Sequence, residues 1–85
     1  MLYQPERRKN GTRPQAIDIA YQVIWNEQKR VFEIQRAGQL TGGTAKNKSS
    51  AINLAIQGAE IDAKDGHTVV VYSRRDGKPA VEWSS

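Results

Sequence analysis

The sequence contains no cysteine and no apolar run that approaches the roughly 18 residues needed to span a membrane. The absence of cysteine excludes a disulfide framework and any zinc site built on thiolates. Residues 1–13 also lack the apolar stretch of a secretory signal peptide. We therefore expect a cytoplasmic protein without a membrane partner.

Side chains suited to catalysis or metal binding are sparse. For the single histidine, His67, the sequence designates neither a partner nor a nucleophile. Three carboxylates, Glu60, Asp62 and Asp65, lack the spacing and the central glycine of a calcium loop, so a solvated helix end is the simpler interpretation. Residues 42–46 resemble a phosphate-binding loop in composition only, because the required glycine and lysine spacing is missing. The sequence thus predicts a protein that is not an enzyme, with no catalytic residue, metal, cofactor or small-molecule substrate.

The net charge of +4 is unevenly distributed along the 85 residues. Residues 1–16 contain four basic residues against one acidic residue, whereas residues 17–85 contain nine against eight. The first segment also contains two prolines and a glycine, and it shows no hydrophobic periodicity. We predict a flexible basic arm over residues 1–16 and a single domain over residues 17–85.

Two alternating runs predict a β-hairpin at the start of this domain. Apolar side chains recur at every second position of the first run, at Ile17, Ile19, Tyr21, Val23 and Trp25. This period of two is typical of a strand with one buried face. Phe32 and Ile34 alternate in the same way within residues 30–36, after a short polar turn. The shared period places Tyr21, Trp25 and Phe32 in the core rather than on a platform for stacking bases.

The run from Asn47 to Lys64 has the composition and period of a helix. Asn47 is a suitable N-cap, and Gly66 stands where a glycine commonly ends a helix. Residues 37–46 before it contain three glycines and are expected to form a loop. With 3.6 residues per turn, one sector of the helix is expected to face the sheet, comprising Ile52, Ala55, Ile56, Ala59 and Ala63.

A second hairpin is predicted after the helix. Residues 68–73 are rich in β-branched side chains, and Asp76-Gly77 is typical of a tight turn before a final strand over residues 79–84. The expected fold class is therefore α+β with the order ββαββ. It has two layers, in which one helix packs on an antiparallel sheet built from the two hairpins.

The region from Tyr21 to Glu82 resembles a family of short bacterial proteins that is catalogued only as a domain of unknown function. The resemblance is carried by short motifs, which in this chain are Phe32, Ile34, Arg36 and Gly38, then Ala51-Ile52, Val69-Val70-Val71 and Asp76-Gly77-Lys78. It implies the same ββαββ fold and no particular activity.

The basic residues favour nucleic acid as the leading partner of a non-enzymatic binding module. We predict weak and nonspecific binding by neutralisation of phosphates, and no residue is nominated for reading base edges. The candidate residues are Arg7, Arg8, Lys9, Arg13, Lys46, Lys48, Arg74, Arg75 and Lys78. Lys46 and Lys48 lie at the start of the helix, where exposed amides also favour an anion.

An interface with a second copy of the chain, or with another protein, is the alternative function. Leu54 and Ile61 fall outside the sector that is expected to face the sheet, and Gly58 between them would let another backbone approach closely. Cover of this edge within one chain, by the loop over residues 37–46 or by the arm, is a further alternative.

Overall fold

The computed structural model describes residues 16–85, so the predicted arm lies outside the described residues except for its last position. The described part contains one helix and five strands, namely β1 (Ile19–Asn26), β2 (Val31–Arg36), β3 (Gln39–Ala45), α1 (Lys48–Lys64), β4 (Val69–Arg75) and β5 (Lys78–Ser84). The predicted α+β class is confirmed. No helix of this part is long and apolar enough to span a membrane.

All five strands form one sheet, in the order β3-β2-β1-β4-β5. Neighbouring strands are antiparallel except at the centre, where β1 and β4 pair in parallel from Ile19 with Val69 to Gln22 with Tyr72. The expected antiparallel ββαββ fold therefore needs two corrections. The chain forms a third strand before the helix, and its sheet is mixed.

The third strand occupies residues that were expected to form a loop. Glu33 pairs with Thr44 and Gln35 pairs with Leu40, so residues 41–43 of β3 lie opposite the single residue Ile34. The Thr41 hydroxyl donates to the Ile34 carbonyl at 3.0 Å and accepts from the Gly43 amide at 3.0 Å. A bulge of this kind interrupts the alternation of side chains. The strand consequently shows no period of two in its sequence.

The parallel pairing follows from the path of the helix. The 17 residues of α1 span about 25 Å, which carries the chain from the end of β3 back to the level where β1 begins. Because β2 already occupies one edge of β1, β4 takes the other edge and runs in the same direction. A connection of this length is what a parallel pair requires.

The core lies between the helix and one face of the sheet. On β1, Tyr21 and Val23 face the helix, as the alternation predicted, and Val71 of β4 joins them with no exposed surface. On the helix, Ala51, Ala55 and Ala59 are fully buried, whereas Ile52, Ile56 and Ala63 are only partly buried. The buried stripe is thus rotated by about 60° from the expected sector. Alanine has the smallest apolar side chain, so this stripe lets the helix lie close to the sheet.

The helix ends confirm the predicted boundaries. The Asn47 side chain accepts a hydrogen bond from the Ser50 amide at 2.9 Å, which is the contact made by an N-cap. Gly66 has a φ of +94°, and its amide donates to the Ala63 carbonyl at 3.0 Å. The left-handed backbone at this point favours glycine and stops the helix.

Candidate functional site

One end of the domain gathers three segments that carry basic residues. Because β1 and β4 are parallel and α1 begins where β3 ends, the turn over residues 27–30, the segment over residues 46–48 and the turn over residues 76–77 all lie at this end. The helix starts here, so its exposed amides add partial positive charge. We call this region the basic end.

The basic end concentrates the positive charge of the described chain. Seven of the nine lysines and arginines between residues 16 and 85 belong to it, namely Lys29, Arg30, Lys46, Lys48, Arg74, Arg75 and Lys78. Four acidic residues accompany them, which leaves +3, whereas two basic and four acidic residues elsewhere leave −2. A nearly neutral domain is therefore strongly polarised.

A direct contact joins the helix start to the second hairpin, because the Lys48 ammonium donates to the Arg74 carbonyl at 2.5 Å. Within that hairpin, Arg75 pairs with Glu82 at 3.2 Å. Lys46 and Lys78 are exposed and make no ion pair within residues 16–85. Lys48 and Arg74 also make no ion pair there, but their side chains donate to backbone carbonyls. Lys46 and Lys78 are therefore the two basic residues of this end whose charges contribute least to the fold.

Glu82 links β5 to β4 through hydrogen bonds with Ser73 and Arg75. Tyr72 pairs with Val81 and Val71 with Trp83, so Glu82 is the extra residue of a bulge in β5. Its carboxylate accepts a hydrogen bond from the hydroxyl of Ser73, a residue that is only 2% exposed. The bond from Ser73, with the nearby charge of Arg75, holds the pKa of Glu82 below its usual value despite burial.

The structure places five of the nine predicted nucleic-acid-binding residues together at the basic end. They are Lys46, Lys48, Arg74, Arg75 and Lys78. The other four, Arg7, Arg8, Lys9 and Arg13, lie outside the described residues. Lys29 and Arg30 were not predicted. Their turn also contains an acidic residue, and the sequence does not indicate that it lies beside the other basic segments.

At the opposite end, Asp62 is part of a buried polar cluster. Its carboxylate accepts a hydrogen bond from the Tyr21 hydroxyl at 2.5 Å and two from the Arg36 guanidinium at 3.0 Å each. The interpretation of Asp62 as part of a solvated helix end was therefore wrong. Of the other groups there, His67 lies 3.6 Å from Asp18, and both of these side chains are about half exposed.

The Asp62 cluster shifts the acidity of its members. The hydrogen bonds from Arg36 and then from Tyr21 hold the pKa of Asp62 below its usual value, although burial opposes this. Burial, followed by the bond to Asp62, raises the pKa of Tyr21. The cluster therefore favours an ionised carboxylate beside a neutral phenol.

We expect acid to destabilise the fold through Asp62 and Glu82. Both bind a proton less tightly when folded, so their contribution is complete above the unfolded pKa of about 4 and is lost as the pH falls through the lower folded pKa. Urea unfolding from about pH 7 to pH 2 should show this loss. An Asp62→Asn, Glu82→Gln double variant should show a smaller dependence, and an equal dependence would contradict the assignment.

The sheet face that points away from the helix carries no second layer within residues 16–85. One row crosses all five strands on this face, consisting of Leu40, Gln35, Gln22, Tyr72 and Val81. Tyr72 is thus separated from the other aromatic residues between positions 16 and 85, which belong to the helix side. Trp25, expected in the core, is 40% exposed at the end of β1. Tyr21 is buried in the core on the helix side, and Phe32 and Trp83 are partly buried against it.

The outer side of the helix exposes two large apolar side chains. Leu54 is 41% exposed and Ile61 is 64% exposed, so no described residue covers them fully, and the predicted interface stays a prediction. Gly58, by contrast, lies close to Tyr21 of the sheet. A Cβ atom at this position would lie 2.9 Å from the Tyr21 hydroxyl oxygen, so the glycine permits close contact between helix and sheet within the chain. This contact accounts for glycine at position 58, and the approach of another backbone stays a prediction.

Within residues 16–85, the fold and its surface define a small α+β domain with a polarised charge distribution and one sheet face that carries no second layer. Comparison of the chain with protein-family models, with curated proteins and with solved structures found no match. The resemblance to a family of short bacterial proteins therefore stays a prediction. Inferences about function depend on the residues described above.

Proposed function

We propose that this protein is a non-enzymatic module that binds nucleic acid weakly through the phosphates. The observation that carries the proposal is the concentration of seven basic residues at the basic end. Such a surface attracts polyanions even when the whole domain is nearly neutral, because association depends on the local potential. Neutralisation of phosphates needs no base contact, which agrees with weak and nonspecific binding.

The contacts at the basic end support two different roles for its basic residues. Lys48 and Arg75 are held by the Arg74 carbonyl and by Glu82, so they shape the surface. Lys46 and Lys78 are the side chains that exchange their water for phosphate oxygens. The four basic residues of the arm are predicted to add further phosphate contacts and to steepen the salt dependence.

A Lys46→Gln, Lys78→Gln double variant is expected to weaken binding of duplex DNA. If each lysine neutralises one phosphate, the slope of log affinity against log salt should fall by up to about 1.8. Fluorescence anisotropy of a labelled duplex, titrated with the full chain from about 20 to 200 mM salt, measures this slope.

Lys64→Glu is the matched control for this experiment. It lowers the net charge by two, as the double variant does, but at the opposite end of the helix. Affinity and slope should stay close to those of the wild type. Equal weakening by both variants, or no binding by the wild type at about 20 mM salt, where electrostatic attraction is strongest, would contradict the proposal.

A further inference from the structure

The two parallel strands diverge before they end. Pairing of β1 with β4 stops at Gln22 and Tyr72, although β1 continues to Asn26 and β4 continues to Arg75. Beyond this point the facing edges of both strands no longer bond to each other. Backbone amides and carbonyls on such edges need other partners, either water or a ligand. We call the resulting opening the central cleft.

The central cleft contains a cavity of about 290 Å³, lined by Gln22, Val23, Tyr72, Ser73, Arg74 and Pro79. Val23 and Ser73 are 3% and 2% exposed, so they form the floor. Strand register places Gln22, Tyr72, Arg74 and Pro79 on the sheet face away from the helix. This size is at the lower limit of ligand pockets and suits one planar ring rather than a large cofactor.

The side chains that line the central cleft favour one kind of ligand. Tyr72 offers an aromatic ring, and the Gln22 amide can both donate and accept hydrogen bonds. Arg74 adds a positive charge at the side where the cleft meets the basic end. A matching ligand has a flat ring with a mixed donor and acceptor edge, and it is attached to a phosphate. Nucleotides have this combination.

The position of the cleft supports a binding role. It lies at the carboxyl ends of two adjacent parallel strands, where open sheets in α/β proteins bind their ligands. Phosphates bound at the basic end would lead the polymer across Arg74 toward this opening. A nucleotide bound in this way would have its ring in the cleft and its phosphate outside.

We propose that the central cleft binds one unpaired nucleobase of a single-stranded polynucleotide. The proposal rests on the proposed function and deepens it, because it selects single strands over duplexes. In a duplex, stacking covers the faces of the bases and pairing occupies their edges, so no base is free to enter the cleft. In a single strand, a base stacks on Tyr72 while its edge bonds to Gln22.

The test compares three polyanions with the full chain, namely labelled oligo(dT), a duplex of equal length, and heparin, which has no bases. Oligo(dT) is expected to bind more tightly than the duplex. Tyr72→Leu should lower the oligo(dT) affinity at least about fivefold, since loss of one stacked base costs at least about this much, and should leave heparin binding unchanged. Tyr72→Phe, which keeps the ring, and Gln35→Ala, on the same row but beyond β1, should bind as the wild type does.

Amide NMR spectra of the wild type supply a second measurement that needs no variant. Oligo(dT) is expected to shift the amide signals of Gln22, Tyr72 and Arg74, and heparin is expected to shift only those near the basic end. Identical shifts with both ligands, or a folded Tyr72→Leu protein with undiminished oligo(dT) affinity, would overturn this inference and leave the proposed function standing. Failure of all three polyanions to bind would overturn both.

Discussion

Replacing Asp62 by alanine is expected to lower the free energy of unfolding by about 2–4 kcal/mol. The carboxylate accepts hydrogen bonds from the Tyr21 hydroxyl and from Nε and Nη2 of the Arg36 guanidinium. Tyr21 is only 5% exposed, so its hydroxyl would lose its acceptor without gaining water in exchange. Arg36 is 44% exposed at its side chain and can be hydrated, which limits the cost. Urea unfolding followed by circular dichroism measures the change.

Glu60→Ala provides the control for Asp62→Ala. It removes an exposed carboxylate two positions away on the same helix, so the change in charge is equal and the loss of stability should stay within about 0.5 kcal/mol. Tyr21→Phe should cost less in the Asp62→Ala background than in the wild type, because the hydroxyl there has already lost its acceptor. Similar unfolding of the Asp62→Ala and Glu60→Ala variants would show that the cluster contributes little.

Replacing Gly58 by valine is expected to destabilise the fold by about 2–3 kcal/mol, although glycine is normally the poorer residue within a helix. A Cβ atom at this position would lie 2.9 Å from the Tyr21 hydroxyl oxygen and 3.1 and 3.3 Å from two ring carbons. The hydrogen bond to Asp62 and the surrounding core hold the ring in place, so it cannot move aside at low cost. Thermal or urea unfolding at neutral pH measures the loss.

Gln57→Val separates this effect from the helix propensity of valine. Gln57 is exposed and adjacent in sequence, so the same residue is introduced without contact with the sheet. Its effect should stay within about 0.5 kcal/mol. Tyr21→Phe should relieve part of the Gly58→Val penalty by removing the nearest atom. A Gly58→Val protein as stable as Gln57→Val would mean that the helix shifts without cost.

Periodicity and capping signals were sufficient to predict much of the fold. The alternation through Tyr21 and Val23 identified both β1 and its buried face, and Asn47 marked the start of the helix to within one residue. Local sequence controls features of this kind. The strand β3 was not predicted, because a bulge interrupts the alternation of its side chains. Its pairing with β2 also depends on contacts between residues that are not adjacent in sequence.

The candidate site was less predictable than the fold, because its parts meet only through the sheet order. Lys48 and Arg74 are 26 positions apart, and no spacing in the sequence brings them together. The central cleft depends on where pairing between β1 and β4 ends, which is likewise a property of the folded sheet. Asp62 carried a usable signal, since it lies three and seven positions after Ala59 and Ala55 on the face where the helix is buried.

The first turn of the helix carries charge of the sign that opposes the helix dipole. It has Lys48 and no acidic residue, whereas Lys64 in the last turn is placed where a cation is favoured. The arrangement is a small electrostatic strain kept in the native state. The proposed binding of a polyanion at the helix start would relieve it, and folding and binding would then be thermodynamically linked.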